Sequence, residues 1–208
     1  MTYIASQSLF ASSPLARPQT DEDRLVQAAR CGDLDAFNSL VLLHQERVYN
    51  LAYRILGDEA AAADATQEAF ILAYRHIGSF HTGFFYAWLY RIATNVCYDA
   101  LRYQKRRPAI SLTHWVKGAD DEREFEPPSH EDSPETTVQR HELAELLQKH
   151  IAALPADQRV VLVLSDVQGL SYQEIADVTR SNLGTVKSRL NRARTRMRQS
   201  LSGAELTV

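Results

Sequence analysis

The sequence is poor in cysteine and in long apolar runs, and each of these absences removes a class of protein. Its 208 residues include two cysteines, Cys31 and Cys97, which lie far apart with no CxxC pair or nearby histidine pair. That spacing disfavours a disulfide framework and a metal site, and both thiols are expected to be buried in a reducing compartment. No apolar run approaches the roughly 18 residues of a membrane span, and the N-terminus lacks the basic start and apolar core of a signal peptide. We therefore expect a cytoplasmic protein without direct membrane insertion.

The residues that most enzymes need are not grouped in this sequence. Seven histidines are scattered along the chain, and the adjacent carboxylates Asp120 and Asp121 fall in a polar segment where no preorganised site can form. The sequence also has no glycine loop of the kind that cradles a nucleotide phosphate. These absences predict a protein that is not an enzyme and that needs no cofactor or metal.

Charges are distributed unevenly along the chain, although 23 basic and 26 acidic residues nearly balance. Residues 21–108 hold 10 basic and 11 acidic groups, whereas residues 109–137 hold Lys117 and Arg123 against eight carboxylates and include three prolines. Such a segment buries too little apolar surface to offset chain entropy, so it is predicted to be a flexible acidic linker. The predicted organisation is a disordered tail over 1–20, a first domain over 21–108, the linker over 109–137, a second domain over 138–202 and a tail over 203–208.

Apolar residues recur at spacings of three and four in both domains, and no alternating strand pattern competes. In the first domain two helices are predicted before Gly57, and a third runs from about Asp58 or Ala63 to Ile77. The fourth helix is the clearest, and it ends before Pro108. Its apolar stripe consists of Trp88, Leu89, Ile92, Ala93, Val96, Cys97, Ala100 and Leu101. The fold class is therefore all-α, with two small helical domains, and the first domain is predicted to be a four-helix bundle.

The second domain carries the pattern of a helix-turn-helix. Ser171 and Glu174 have the spacing of a capping box, which starts a short helix at Ser171. A turn from Arg180 to Asn182 follows, and Asn182 is the expected N-cap of a longer helix. A short helix, a tight turn and a longer basic helix are typical of DNA-binding helix-turn-helix proteins.

The last helix has six basic residues between Lys187 and Arg198 and no carboxylate among them. Successive residues lie about 100° apart around a helix, so the side chains divide into sectors. The sector that must face the core contains Val186, Leu190, Ala193 and Met197. The opposite sector contains Gly184, Ser188, Asn191 and Thr195, with Arg192 beside it and cations on both rims. Such a face suits a DNA major groove, because its centre can read base edges while its rims hold phosphates. The alternative for the charge run alone is a solvated basic face.

The first domain offers a second candidate surface, on the loop GSFHTGFF and the helix after it. Beside its apolar stripe, this helix carries a face made of Tyr90, Arg91, Asn95, Tyr98 and Arg102. Aromatic and basic groups around a loop are suited to stacking on unpaired bases. The alternative is that Phe80, Phe84 and Trp88 fill the core of the bundle, and Trp88 does lie on the apolar stripe.

Four segments of the chain resemble bacterial RNA polymerase sigma factors of the extracytoplasmic-function type. They are DEDRLVQAARCGDLDAFNSLV, DATQEAFILAYRHI, FYAWLYRIATNVCYDALR and LPADQRVVLVLSDVQGLSYQEIADVTRSNLGTVKSRLNRAR, in the family's order and spacing. The resemblance implies that the first domain is sigma region 2, which opens the promoter and reads the −10 element as a single strand. It implies that the second domain is sigma region 4, which reads the −35 element as duplex. Implied partners are core RNA polymerase, through its largest-subunit clamp and its flap, promoter DNA and an anti-sigma factor.

Resemblance and helical position together give the candidate residues for each contact. Candidates for the −10 strand are Phe80, His81, Arg91, Ile92 and Asn95. Candidates for the −35 duplex are Thr185, Lys187, Ser188, Arg189, Asn191 and Arg192. Candidates for polymerase binding are Asp64, Gln67, Glu68 and Phe70, where the alternative is an ordinary amphipathic helix.

One position departs from the usual pattern of such motifs. The turn carries Arg180 where glycine is common, and a left-handed conformation costs a residue with a side chain up to about 1 kcal/mol. Arg180 therefore strains the turn, changes its geometry or contacts phosphate.

A different class of protein also stays open, namely a helix-turn-helix regulator that binds duplex DNA without being a polymerase subunit. Such a regulator needs neither the aromatic loop nor a polymerase contact.

Overall fold

The computed structural model describes residues 20–81, 83–106 and 134–204. The predicted tail before Thr20 and residues 109–133 of the predicted linker lie outside these residues, whereas residues 134–137 of that linker form the start of a helix. Within them the regular structure is helical throughout, with eight α-helices, a 3-10 turn over Ile77–Ser79 and a π-helical turn over Val163–Val167. The helices are α1 (Asp21–Arg30), α2 (Leu34–Leu56), α3 (Glu59–His76), α4 (Phe85–Arg106), α5 (Pro134–Ala152), α6 (Ala156–Leu162), α7 (Tyr172–Thr179) and α8 (Leu183–Ala204). The all-α prediction is confirmed.

Side-chain caps and one glycine set the helix ends in the first domain. Thr20 and Asp23 form a capping box at the start of α1, where the Asp23 amide donates to Thr20 Oγ1 at 3.2 Å. Asp33 caps α2, which ends at Gly57 with a left-handed φ of 76° that glycine adopts without a Cβ conflict. Asp58 then caps α3 immediately. The short connection makes α2 and α3 antiparallel neighbours.

Helices α1 to α4 pack as the predicted bundle around α2. Leu51 and Ile55 of α2 are fully buried, as is Leu89 of α4. The side of α3 that faces them is built from small residues, namely Ala62, Ala65, Ala69 and Ala73. Burial raises the pKa of the Cys97 thiol to about 12, so this group stays neutral in the core. The expectation of burial is wrong for Cys31, which is exposed because it follows the last turn of α1 at the surface.

The helix-turn-helix of the second domain begins and ends where the sequence predicts. Ser171 caps α7 in a box with Glu174, whose amide donates to Ser171 Oγ at 3.3 Å. Asn182 caps α8 by accepting from the Thr185 amide at 2.7 Å. Between the helices, Arg180 has φ 50° and ψ 42°, and in the described part of the chain it alone has positive φ without being glycine. The turn therefore keeps its left-handed geometry with an arginine in it.

The two domains pack against each other, an arrangement that the periodicity of the sequence does not indicate. Helices α2 and α4 of the first domain contact α5, α6 and α7 of the second. Arg159 of α6 donates to the carbonyl oxygens of Ile55 at 2.5 Å and Leu154 at 3.0 Å, and also to that of Ala152. Gln148 of α5 is buried against the end of α2. These contacts join the C-terminal end of α2 to the second domain.

Replacing Arg180 with glycine is expected to raise the free energy of unfolding by up to about 1 kcal/mol, because glycine adopts the left-handed turn without a Cβ conflict. The greater freedom of glycine in the unfolded chain offsets part of this gain. Urea unfolding of the full chain measures the difference. Arg180→Ala is the matched control, since alanine keeps the conflict and should give no gain. Equal stabilisation by both variants would assign the effect to loss of the arginine charge instead.

Candidate nucleic-acid interface

The predicted division of α8 into a core face and an exposed polar face is confirmed. Val186, Leu190 and Ala193 are buried, and Met197 is partly buried against the same core. Thr185 is also partly buried. The exposed residues on the opposite side are Gly184, Lys187, Ser188, Asn191, Arg192 and Thr195. The amide of Asn191 and the guanidinium of Arg192 therefore face solvent, where a partner can reach them.

Two of the six cations on α8 are engaged inside the domain. Arg189 Nε lies 3.1 Å from Asp157 Oδ2, and Arg189 also donates to Ser181 Oγ at 3.0 Å. Arg194 donates to both oxygens of Asp166, at 2.5 and 3.1 Å, and this holds the pKa of that carboxyl below its ordinary value. The structure thus places Arg189, a candidate for the −35 duplex, with its side chain 28% exposed and turned towards α6. Periodicity within one helix cannot reveal these pairs, since both carboxylates lie outside it.

A cavity of about 390 Å³ opens beside the aromatic loop of the first domain. The residues lining it include Phe80, His81, Phe84, Trp88 and Arg91 from the loop and α4, and Glu174 and Asp177 from α7. Phe80 is buried, with its ring centroid 5.9 Å from that of Phe85 and 5.6 Å from that of Trp88. Phe84 and His81 are exposed. The core interpretation therefore holds for Phe80, which forms a wall of the cavity, and Phe84 remains an accessible ring.

The other −10 candidates lie on different sides of α4. Arg91 is partly exposed and reaches the cavity, whereas Ile92 is partly buried against the core of the bundle. Asn95 is exposed one turn further along the helix. The structure thus brings His81 and Arg91 together at one cavity and leaves Asn95 beyond it.

Helix α7 closes one side of this cavity with acidic residues. Tyr86 Oη donates to Glu174 Oε1 at 2.5 Å, and Tyr90 Oη donates to Gln168 Oε1 at 2.8 Å. The hydrogen bond from Tyr86 is the main reason that the pKa of the Glu174 carboxyl lies below its ordinary value. Tyr90 is 2% exposed, and burial raises the pKa of both Tyr90 and Tyr98. The prediction that places Tyr90 and Tyr98 on a nucleic-acid face is therefore corrected, because burial against the second domain covers them.

The polymerase-binding candidates lie on two different sides of α3. Gln67 lines a groove between α2 and α3, and buried Phe70 forms part of its floor. This groove has a volume of about 780 Å³ and also includes Phe37, Val41, Ile71 and Tyr74. Asp64 and Glu68, both exposed, line a second groove of about 690 Å³ between α3 and α4. The four residues do not form one patch.

The polar face of α8 and the aromatic cavity beside α4 occupy two separate helical domains of one chain. The first surface has the small, amide and basic side chains that suit a duplex groove, and the second has exposed aromatic and basic side chains beside carboxylates of α7. They are two candidate DNA-binding surfaces on one chain.

Comparison with known proteins identifies the class. The family model for sigma-70 region 2 matches residues 40–107, and the model for sigma-70 region 4 matches residues 144–197. The chain is 39% identical over 181 residues to the RNA polymerase sigma-H factor of Pseudomonas aeruginosa, covering 85% of this chain and 91% of that protein. It is 38% identical over 184 residues to the ECF RNA polymerase sigma-E factor of Escherichia coli, covering 85% and 92%. The protein belongs to the extracytoplasmic-function sigma factors of the sigma-70 family.

A solved structure has a similar architecture. The sigma factor RpoE of Bartonella quintana, in complex with the anti-sigma factor NepR, matches with a TM-score of 0.61 at 25% identity, over 81% of this chain and 98% of that one. The predicted family and the two-domain helical fold are therefore confirmed. None of the helices described above combines the length and apolar character that a bilayer crossing requires.

Removing the Tyr86 hydroxyl is expected to raise the pKa of Glu174 towards its ordinary value, because the carboxylate loses the donor that stabilises its charged form. Carboxyl carbon NMR of the Tyr86→Phe variant across an acid titration measures this shift. Tyr74→Phe is the control, since Tyr74 is exposed on α3 and packs edge-on against Phe37. An unchanged Glu174 titration in Tyr86→Phe would mean that the domains do not stay docked in solution.

Proposed function

We propose that this sigma factor binds core RNA polymerase through α3, reads the −35 element with α8 and holds the unpaired −10 strand at the loop before α4. The observation that carries the proposal is the presence of two DNA-suited surfaces on two domains. A duplex-binding regulator needs α8 alone and has no use for an aromatic cavity. The protein acts in the cytoplasm as a specificity subunit and performs no chemistry of its own.

At the −35 element, the exposed face of α8 enters the major groove. Arg192 donates to guanine O6 and N7, and the Asn191 amide both donates and accepts at a base edge, since these are the preferred pairings of the two side chains. Lys187 holds a phosphate, and Ser188 is small enough to let the helix approach the bases. Arg189 contributes indirectly, because its bond to Ser181 ties α8 to the turn before it.

At the −10 element, the exposed ring of Phe84 stacks on an unpaired base while His81 and Arg91 offer hydrogen-bond donors beside it. Base–aromatic stacking contributes about 1 to 3 kcal/mol per base. Asn95, further along α4, bonds to the edge of a neighbouring base. The carboxylates of Glu174 and Asp177 repel a phosphate chain, so α7 has to leave before the strand enters.

The two domains have to separate for simultaneous promoter contact. The −10 and −35 elements are about 25 base pairs apart, or roughly 85 Å at 3.4 Å per base pair. In the docked arrangement the two domains are joined by hydrogen bonds such as that from Tyr86 to Glu174, at 2.5 Å. A chain of the 27 residues between Arg106 and Pro134 reaches at most about 97 Å, which is enough for the separated state. Core polymerase holds the domains apart at a set distance. Less conformational entropy is therefore lost when both domains bind their promoter elements.

The polymerase clamp docks on α3, and the flap contacts the second domain. The two grooves beside α3 offer an apolar surface on one side and a more acidic one on the other. An anti-sigma factor acts by covering the same grooves. That this chain has such a partner is supported by the similar sigma factor of Bartonella quintana, which is in complex with the anti-sigma factor NepR.

Run-off transcription tests the proposal. Core RNA polymerase is supplied with genomic fragments, with and without the protein, and new start sites are mapped. New starts that share two upstream elements at a fixed spacing are the expected result. Tight duplex binding by the protein alone, without any new start, would identify a conventional regulator instead.

Arg192→Ala is expected to cost roughly 1 to 3 kcal/mol in promoter affinity of the holoenzyme and to relax the preference at one base pair. Selection from a randomised −35 element measures both effects. Arg196→Ala is the matched control, because Arg196 is an exposed cation on the rim of the same helix. It should weaken all sequences equally. A uniform loss for Arg192→Ala as well would make Arg192 a phosphate contact.

Glu68→Lys is expected to weaken core polymerase binding at least tenfold, because it reverses a charge in the groove between α3 and α4. Fluorescence titration with core enzyme measures the dissociation constant. Glu46→Lys makes the same charge change in the other groove, between α2 and α3. A loss confined to Glu46→Lys would move the docking site to that groove, and no loss in either variant would remove α3 from the interface.

A further inference from the structure

Arg30, the last residue of α1, reaches the loop that precedes α4. Its Nη1 donates to Gln27 Oε1 at 3.1 Å, and its Nη2 lies 3.3 Å from His81 Nδ1. Its Nε is buried and makes no hydrogen bond within the described residues. Helix α1 also packs against the 3-10 turn over Ile77–Ser79 that leads into the loop. The guanidinium is therefore held between α1 and the loop.

The contact between Arg30 and His81 determines which ring nitrogen of the histidine carries a proton. A guanidinium has five N–H donors and no acceptor, and it stays charged in proteins. His81 Nδ1 must therefore accept the hydrogen bond. In a neutral imidazole the proton then resides on Nε2, the other ring nitrogen. Because His81 is exposed, the loop presents an N–H donor to whatever enters the cavity.

Arg30 differs from other arginines on the same domain in how its donors are used. Arg24 and Arg102 pair with Asp21 and Asp99 on their own helices, at 3.2 and 3.0 Å. Within the described residues, no carboxylate lies at such a distance from Arg30. Its donors are directed to an amide oxygen and a ring nitrogen, which is the arrangement expected of a group that orients a side chain.

The residue next to His81 is fixed as well. Phe80 is buried between the rings of Phe85 and Trp88, at centroid distances of 5.9 and 5.6 Å. Two consecutive loop residues are thus anchored, one by apolar packing and the other by Arg30. With Phe80 and the ring of His81 both fixed, the exposed nitrogen has a defined direction.

We infer that Arg30 is a positioning residue for recognition of the −10 strand, which holds His81 as an Nε2–H donor aimed at an acceptor atom of an unpaired base. Acceptors of this kind are the ring nitrogens of purines and the carbonyl oxygens of guanine, thymine and cytosine. The inference rests on the proposed −10 role of the loop. Arg30 itself does not contact the base.

Nitrogen NMR of the full chain, labelled with ¹⁵N-histidine, tests the first half of this inference without any promoter. Spectra at about pH 8.5 observe neutral rings, and His81→Gln identifies the His81 signals. The expected result is an unprotonated Nδ1 and a protonated Nε2 in the unmodified protein, with the second tautomer appearing in Arg30→Met. Arg30→Lys, which keeps a donor, should restore the single tautomer. Tautomer populations that are the same in all three proteins would overturn the inference.

Open-complex formation by the holoenzyme tests the second half. Arg30→Met should lower it about three- to tenfold, the range that follows from losing one hydrogen bond, while core binding is unchanged. In the His81→Ala background, Arg30→Met should have no further effect, because Arg30 acts through His81. Arg24→Ala is the control on the same helix and should leave open complexes unaltered.

Two outcomes of the double-mutant comparison would overturn the inference. An equal loss from Arg30→Met with and without His81 would make Arg30 a direct DNA contact. Full activity of His81→Ala, together with the expected tautomer in the NMR experiment, would remove His81 from −10 recognition. New transcription starts in the run-off experiment would still support the sigma function in that case. Failure of this inference is therefore distinguishable from failure of the proposed function.

Discussion

Arg159 satisfies carbonyl groups that the helices of both domains leave free. The last carbonyls of a helix have no partner within it, and they form the negative end of the helix dipole. The guanidinium of Arg159 donates to Ile55 at the end of α2 and to Ala152 and Leu154 at and after the end of α5. Burial lowers the pKa of Arg159, so these carbonyls have to compensate for the lost water. This cation joins the end of α2 to the end of α5, on the same side of the chain as the contacts of α2 with α5 and α6.

Helix α7 covers a face of α4 that the proposed function needs for binding the −10 strand. One side of α4 closes the core of the first domain with Leu89 and Cys97, while the tyrosines on another side bond to the second domain. In the proposed function, an unpaired strand takes the place of Glu174 and Asp177 beside the loop. Both the docked domain and the DNA strand need the same face, so each excludes the other. Promoter binding by the protein alone therefore has to overcome the domain contact, whereas polymerase that holds the domains apart removes this competition.

Local chemistry made most of the fold predictable, because caps and periodicity act within a few residues. Ser171 and Asn182 begin their helices as expected, and the core sector of α8 is the buried one. The polar faces of the helices were harder to interpret, because their residues make contacts over long sequence distances. Tyr90 bonds to Gln168, 78 residues away, and Arg189 pairs with Asp157 of another helix. A helical wheel places such residues on a polar side of a helix, but it does not identify what covers that side.

The charge of α8 illustrates the same point, because a helical wheel does not show which of its cations are paired. Six cations without a carboxylate suggest a uniformly basic helix, yet Arg189 and Arg194 are paired with carboxylates of the same domain. These pairs orient α8 through Asp157 before it and Asp166 beside it, so part of the positive charge stabilises the domain. The exposed cations that remain surround Ser188 and Asn191, which are uncharged. In the proposed function, discrimination between bases then depends on a few polar groups at the centre of the face, and the surrounding cations provide attraction to phosphate that is independent of sequence.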